Sequence, residues 1–284
     1  MVLFLSNIQA GHIFAKEFIE QLKKDPILDW AATLAFYFML SIFPLLIFML
    51  SLLPYLPLNT EQIYHFVHDY APPELAELFT VTVLEVIAEP KGGLLSFGIL
   101  ATIWTSSNGI NALIRALNKA HNTDETRSFI KLRFMSILLT IGFVLVIFVT
   151  LLLPVFGNVI LTSIDQIFGL PDTTVVNLNR LRWFIGIAIM TAVLMVLYTI
   201  GPNKKLNFHR VLYGALFATI SWQLISLGFS FYISNFNNYT ATYGSLGGVI
   251  ILMMWFYLSG LILVIGGEIN ATLYNIREGN LLRR

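Results

Sequence analysis

Long apolar runs separated by short polar connections dominate the sequence. Six runs are each close to the roughly 20 residues that an α-helix needs to cross a bilayer. They cover residues 30–53, 93–115, 133–156, 181–200, 210–233 and 245–267. Because these runs are continuously apolar rather than alternating, they favour helices over the strands of a β-barrel. The pattern predicts an all-α integral membrane protein with six transmembrane helices.

The composition agrees with this class. Hydrophobic residues make up 57% of the 284-residue chain and charged residues only 12%, whereas soluble domains carry about 25% charged residues. A water-soluble protein could not cover its surface with so few charges. The chain has no cysteine, which excludes disulfides, thiolate catalysis and cysteine-ligated metals.

The positions of Lys and Arg predict the orientation. Of the 17 Lys and Arg residues, 14 lie in the N-terminal segment, the second and fourth connections and the C-terminus. Only Lys91, Arg180 and Arg182 lie on the opposite face. Since cytoplasmic loops carry an excess of Lys and Arg, both termini are predicted to be cytoplasmic. An even number of spans is consistent with that prediction.

Two amphipathic regions accompany the spans. In residues 1–28, Phe14, Phe18 and Leu22 recur at helical spacing, which predicts a cytoplasmic segment on the membrane surface. The connection 57–92 is acidic and has an apolar helical face, so we interpret it as an extracytoplasmic cap of two short amphipathic helices. Residues 29–276, including this cap, are predicted to form a single six-helix domain, and 277–284 a cytoplasmic tail.

Polar residues inside the predicted spans form two stripes at helical spacing. They are Trp104, Asn108, Asn111 and Arg115 in the second span, and Thr219, Gln223, Ser226, Ser230 and Ser234 in the fifth. Inside a bilayer, a polar side chain must find a partner or line a wet cavity. One interpretation is a polar cavity between helices. The alternative is that Ser and Thr bond to their own helices, while Asn and Gln join neighbouring helices.

Three charged residues lie at the predicted cytoplasmic ends of spans: Asp29, Arg115 and Glu268. The functional interpretation is a cytoplasmic gate closed by an ion pair such as Arg115 with Glu268. The alternative is that these long side chains reach the headgroups. Few ionisable groups lie near the midplane, so the sequence does not indicate strong proton or ion coupling.

The first span contains Pro44, which leaves the carbonyl of Leu40 without its helical donor. Ser41 is close enough in sequence to help satisfy the backbone, and Tyr37 lies one turn earlier on the same face. The proline therefore predicts a bend within a spanning helix. Either the bend is a static feature of packing, or it faces the polar cavity.

Glycines mark both ends of the sixth span. Gly244 and Gly248 open it four residues apart, and Gly267 closes it. Small residues at this spacing allow two helix backbones to approach closely. A hinge for gating is the other interpretation.

Motifs for catalysis are absent from the sequence. There is no phosphate-binding loop, dinucleotide fingerprint or zinc-protease motif. His65 and His68 lie three residues apart beside Asp69, but without an evident third ligand they are typical of a solvated surface. The predicted cytoplasmic face offers no carboxylate cluster for two-metal phosphodiester cleavage, and topology accounts for its basic residues. The sequence therefore predicts no enzyme, cofactor, metal site or nucleic-acid partner.

Three stretches resemble the YihY/BrkB family of bacterial inner-membrane proteins: "AATLAFYFMLSIFPLLIFML", "IWTSSNGINALIRALNKAHN" and "YGSLGGVIILMMWFYLSGLILVIGGEINA". The resemblance covers most of the chain in the same motif order and implies six spans with both ends in the cytoplasm. Labels given to members include ribonuclease BN, widely considered a misassignment, serum-resistance factor, and transporter or exporter. The family motif residues are Tyr37, Ser41, Pro44, Tyr243, Gly244, Trp255, Gly267 and Glu268.

Two functions follow from these expectations. The first is a transporter or exporter that moves a small solute or a lipid-like molecule through the polar cavity. The second is a non-transporting membrane scaffold that binds a partner through the acidic cap. The lipid bilayer is the expected surrounding, and homo-oligomerisation is left open. A membrane-bound hydrolase is disfavoured because neither a nucleophile with its base nor a metal cluster is present.

Overall fold

A computed structural model describes residues 2–55, 92–144, 172–235 and 245–278. Across these ranges the regular structure is helical, which confirms the predicted all-α class. The helices are α1 (Val2–Lys24), α2 (Ile27–Leu52), α3 (Gly92–Ala120), α4 (129–144), α5 (Asp172–Ile200), α6 (Leu212–Asn235) and α7 (Ser245–Arg277). Short 3-10 turns occupy Leu53–Tyr55 and Phe208–Val211.

Within the described ranges, three segments are long and apolar enough to cross a membrane: Ile27–Leu52, Phe208–Tyr232 and Gly247–Arg277. They correspond to the first, fifth and sixth predicted spans. A shorter apolar helix, Phe184–Ile200, coincides with the fourth. The full count of six spans and the orientation of the termini stay predictions.

Several predicted features lie outside the described residues. They are nearly all of the acidic cap at 57–92, the second half of the third predicted span, Gly244, and most of the C-terminal tail. His65 and His68 belong to the same undescribed cap.

Large apolar side chains remain exposed along the helices. Examples are Phe43, Leu100, Phe134, Phe184, Leu227 and Ile250. In water, each such exposure forgoes about 1.5–3 kcal/mol of burial free energy. In a bilayer the same side chains meet lipid tails, so exposed apolar surface is the ordinary condition of a membrane helix.

The chain divides into two compact units. The larger combines Met1–Phe36 with Ser107–Arg284, and the smaller is Tyr37–Ser106. The core of the larger unit includes the fully buried side chains of Leu113, Leu194 and Tyr198. The prediction of one six-helix domain across 29–276 stays a prediction.

In the larger unit, α6 and α7 approach closely at glycines. A Cβ atom on Gly214 would overlap the carbonyl oxygen of Gly266, and it would lie 2.5 Å from Asn270 Nδ2. A Cβ on Gly267 would overlap the side chain of Leu117 on α3. Gly267 is therefore a packing contact. Gly248, in contrast, has nothing within 4 Å, and the roles of these glycines as hinges stay predictions.

The described part of the smaller unit consists mainly of the second half of α2 and the first half of α3. The two helices meet where a Cβ on Gly98 would lie 2.7 Å from the backbone nitrogen of Phe48. Helix α2 continues through Pro44. The hydroxyl of Ser41 donates to the carbonyl of Phe38 at 2.7 Å, rather than to the carbonyl of Leu40 that the proline leaves without a donor.

Candidate functional site

A cluster of buried polar side chains joins three helices of the larger unit. It consists of Gln21, Asp25, Glu268 and Thr272, and we call it the carboxyl cluster. The Glu268 residue is only 1% exposed and Asp25 only 6%. Carboxyl groups are almost never buried this far unless they are paired, so the cluster is the strongest candidate for a functional site.

Local sequence positions these side chains. The backbone N–H of Asp25 donates to Gln21 O at 3.0 Å, and that of Trp30 donates to Pro26 O at 3.0 Å. Helix α2 therefore begins directly after Pro26, whose missing N–H costs nothing at a helix start. Asp25 is held at the tight turn between α1 and α2. Glu268 and Thr272 lie four residues apart on α7 and thus share one face.

The Gln21 amide links the helices. Its Nε2 donates to the carbonyl oxygen of Ala120 at the end of α3, at 2.8 Å. That carbonyl is one of the last four of α3, and such carbonyls receive no hydrogen bond from an N–H of their own helix. The hydroxyl of Thr272 donates to Gln21 Oε1 and to the carbonyl of Glu268, both at 2.8 Å. Gln21 also hydrogen-bonds to the Glu268 carboxyl.

Each carboxyl retains one oxygen that is not hydrogen-bonded. Within the described ranges, neither Asp25 Oδ1 nor Glu268 Oε2 has a hydrogen-bond partner, although the two groups interact electrostatically. Burial raises the pKa of Asp25, against the opposing effects of Lys119 and Lys24. Both lysines are exposed, and Lys24 donates to Asn122 Oδ1 at 3.2 Å. The cluster therefore contains two buried carboxyl groups, and the nearby lysines are exposed rather than directly paired with them.

A second polar network ties the connection after α3 to the connection after α5. Asn118 donates to Glu125 Oε2 at 2.9 Å and accepts from the backbone N–H of Asn203 at 2.6 Å. Arg127 pairs with Glu125 at 2.5 Å and donates to the carbonyl of Gly201 at 2.8 Å. The hydrogen bond from Arg127 lowers the pKa of Glu125. These bonds hold the ends of α3 and α5 in one arrangement.

A buried histidine lies beside this network. His121 is 2% exposed, and its ring meets the edge of Tyr274 at a centroid distance of 5.9 Å. Burial, with a smaller contribution from Lys204, lowers the pKa of His121 to about 4. The Lys204 ammonium lies 4.1 Å from the centroid of the Tyr274 ring, and burial lowers its pKa as well.

An open cavity of about 490 Å³ lies on the connection after α5. Its lining residues are Thr199, Ile200, Pro202, Asn203, Lys204, Lys205 and Leu206. None of them is among the side chains predicted to line a cavity.

The amides of the second predicted span are bonded to arginines. Asn108 accepts from Arg133 Nη1 at 2.5 Å, and Asn111 accepts from Arg115 Nη1 at 2.8 Å. The Arg115 side chain is exposed, and its guanidinium carbon is 6.0 Å from the centroid of the Trp30 ring.

The suggested ion pair of Arg115 with Glu268 is not formed. Arg115 bonds along its own helix, while Glu268 is buried against Gln21. Asp29, the third predicted gate residue, is exposed in the first turn of α2. The gate itself stays a prediction.

The remaining predicted cavity residues are divided between the units. In the smaller unit, Tyr37 and Ser41 are half-buried and Trp104 is 55% exposed. In the larger unit, Gln223 is half-buried, and the buried hydroxyl of Ser226 has no partner among the described residues. Their convergence on one cavity stays a prediction.

Sequence reasoning found Glu268 but missed the groups around it. Gln21 and Asp25 fall in the segment predicted to lie on the membrane surface, and Thr272 lies beyond the predicted end of the sixth span. A usable signal was the Asp25-Pro26 pair at a helix boundary. The polar run after Gly267, which contains Glu268, Asn270 and Thr272, was another.

Comparison with known proteins identifies the family of the chain. The family model described as "Virulence factor BrkB" matches residues 18–283. A Bacillus subtilis (strain 168) protein named as ribonuclease-like, YfkH, is 47% identical over 248 residues, which cover 87% of this chain and 90% of the relative.

More distant relatives carry the name of membrane proteins. A UPF0761 membrane protein of Photobacterium profundum is 28% identical over 284 residues, covering 99% of this chain and 86% of the relative. Another, from Vibrio vulnificus (strain YJ016), is 28% identical over 276 residues, covering 93% and 83%. No solved structure matches the chain. With the apolar helices described above, these matches show that the protein belongs to the BrkB virulence-factor family and is a membrane protein.

Proposed function

We propose that the protein is a transporter or exporter of a small solute or a lipid-like molecule. It would act in the bacterial inner membrane with six spans and both termini in the cytoplasm. The observation that carries this proposal is the burial of Glu268 within the segment Gly247–Arg277, which is apolar and long enough to cross a membrane.

The buried carboxyl of Glu268 lowers the stability of the fold unless it is compensated. Burying a carboxylate without a paired cation costs several kcal/mol. An apolar residue of similar volume would pack α7 against its neighbours without that cost. Glu268 is instead kept with Asp25 and Gln21, and each carboxyl has an oxygen without a hydrogen-bond partner in the part of the chain that the structure describes. Intramembrane carboxyls of this kind are characteristic of substrate and ion pathways.

We also propose that the protein is not an enzyme and needs no cofactor or nucleic-acid partner. The support is the sequence, which carries no cysteine and no recognised catalytic motif. Among the described residues, no group of three or more His, Asp or Glu side chains could hold a metal ion. The ribonuclease-like name belongs to the Bacillus relative.

A flux assay in proteoliposomes tests the transport proposal. The purified protein is reconstituted, and two probes are followed: efflux of trapped radiolabelled betaine, and transbilayer movement of a phospholipid with a fluorescent headgroup. We expect one probe to move faster than in protein-free vesicles, and Glu268→Gln to slow it at least tenfold.

The matched control is Glu278→Gln. Glu278 is 43% exposed and pairs with Arg210 at 2.9 Å, an exposed ion pair worth about 0–1 kcal/mol. Its substitution should leave flux unchanged. If neither probe moves above the rate of empty vesicles, the transport proposal is wrong. The acidic cap on which the scaffold alternative depends lies outside the described residues.

A further inference from the structure

We propose that Asp25 and Glu268 form a proton-binding site, in which the two carboxyls share one proton. We further propose that this proton is the coupling ion of transport, and this second part rests on the proposed function. The pattern of apolar spans did not indicate such coupling, because Asp25 lies outside the predicted spans and 243 positions away from its partner.

The geometry of hydrogen bonding leads to the shared proton. Among described residues, Asp25 Oδ1 and Glu268 Oε2 are buried acceptors without a donor. Both belong to side chains that are more than nine-tenths buried. Gln21 connects them, since its carbonyl accepts from the Asp25 N–H and its side chain bonds to the Glu268 carboxyl. A proton bound to either carboxyl turns one of these unpaired acceptors into a donor.

Charge points the same way. Two ionised carboxylates that share a site repel each other, so one of them tends to hold a proton. The charged groups acting on Asp25 from neighbouring elements are Lys24 at the end of α1 and Lys119 at the end of α3. Both ammonium groups are exposed, and among the described residues neither forms an ion pair with Asp25 or Glu268. Their screened attraction does not replace a proton within the cluster.

A metal ion fits the cluster less well than a proton. Hard cations such as Ca²⁺ and Mg²⁺ take about six or more oxygen ligands. Here the other nearby oxygens already accept hydrogen bonds: Ala120 O from Gln21, and Gln21 Oε1 from Thr272. Among the described residues, two buried carboxyl oxygens lack a donor and no group of three or more His, Asp or Glu side chains could hold a metal ion, whereas one proton needs no more than these two acceptors.

The position of the cluster explains how a proton could control movement. The cluster joins the turn between α1 and α2, the end of α3 and the last third of α7. Removing the proton leaves two like charges within this junction, which weakens the contact between α1 and α7. The proton thereby biases the junction between a closed and a looser arrangement.

Infrared spectroscopy of the reconstituted protein tests the site without any transported substrate. A carboxyl group absorbs as a C=O stretch only when protonated, so its signal disappears on titration to alkaline pH. We expect the wild-type protein to show one such signal at neutral pH. Isotopic labelling of glutamate should shift part of this signal, and labelling of aspartate should also shift part of it.

Substitutions provide the second readout. Glu268→Gln and Asp25→Asn should each move the loss of the signal to lower pH, because the remaining carboxyl is no longer repelled by the charge of its partner. Glu278→Gln should retain the signal. No signal in the wild type, an unchanged titration of the signal in either single variant, or a response to Na⁺ at constant pH would each overturn the proton site. The isotope experiment on the wild type decides if a variant does not fold.

Flux under an imposed pH gradient tests the coupling separately. We expect the gradient to accelerate movement of the betaine or lipid probe at least tenfold in the wild type and to have no effect in Glu268→Gln. Flux that ignores the gradient would overturn the coupling and leave the proposed function standing. A titrating carboxyl signal without any flux would confirm the proton site and contradict the proposed function.

Discussion

The two units of the molecule satisfy their polar side chains in different ways. In the smaller unit, Ser41, Thr102 and Thr105 donate to carbonyls three or four residues earlier in their own helices, at 2.7–2.8 Å. In the larger unit, Ser136 and Thr140 also bond to their own helix. Other polar groups of that unit join different helices: Gln21 bonds to the end of α3, and the buried Tyr198 hydroxyl donates to Leu263 O on α7 at 2.8 Å.

This difference bears on specificity. A hydroxyl that bonds to its own helix is satisfied whatever the neighbouring helix does. A bond between helices is formed in one arrangement only, and losing it leaves a buried group unpaired. The larger unit therefore has one closely defined packing. The functional candidates that depend on tertiary structure are found there.

The largest loss of stability is expected from adding a methyl group where α6 and α7 are in close contact. Gly214→Ala places a methyl group against the backbone of Gly266, which cannot move aside as a flexible side chain would. We expect destabilisation by about 3 kcal/mol or more, seen as a lower melting temperature of the detergent-solubilised protein.

Gly228→Ala is the control on the same helix. A Cβ there has nothing within 4 Å, so the substitution should be neutral or should stabilise by up to about 1 kcal/mol through helix propensity. Equal effects of the two substitutions would contradict the close packing of α6 on α7.

Acid should destabilise the larger unit through His121. Its pKa is about 4 in the folded protein and 6.5 in the unfolded chain, so the unfolded chain binds the proton first. Stability is therefore full above pH 6.5 and lost between pH 6.5 and 4, by about 2 kcal/mol at pH 5. The measurement is the melting temperature as a function of pH.

His121→Phe keeps the ring contact with Tyr274 and should flatten this acid dependence. His209→Phe, at an exposed position, should leave it as in the wild type. If the His121 variant retains the full acid dependence, the buried neutral histidine is not its cause.

The smallest changes in stability are expected from substituting two threonines, one in each unit. Thr272→Val removes the donor to Gln21 Oε1 and should destabilise by about 1–2 kcal/mol, because a buried acceptor is left unpaired. Thr105→Val removes only a bond to its own helix and should change stability by less than about 0.5 kcal/mol. Both are read by melting temperature. A larger loss at Thr105 would reverse the contrast between the units.

The class of the protein follows from its amino-acid sequence alone. A run of about 20 apolar residues must form a helix in lipid, because every backbone group has to be bonded within the segment. That is why the first, fifth and sixth predicted spans coincide with helices able to cross a membrane. Glu268 was also visible in the sequence, since a carboxyl at the end of an apolar run is costly wherever the helix packs.

The residues that surround Glu268, in contrast, are set by the packing of the helices. Helical periodicity places a residue on a face, but it does not say which helix that face will touch. The stripe geometry suggested Arg115 as the partner, yet Arg115 bonds to Asn111 on its own helix. Asp25 and Gln21 come instead from the turn after α1, brought to α7 by packing across more than 240 positions of the chain. Contacts over such separations depend on how whole helices pack. The glycine contact between α6 and α7 is one feature that determines this packing.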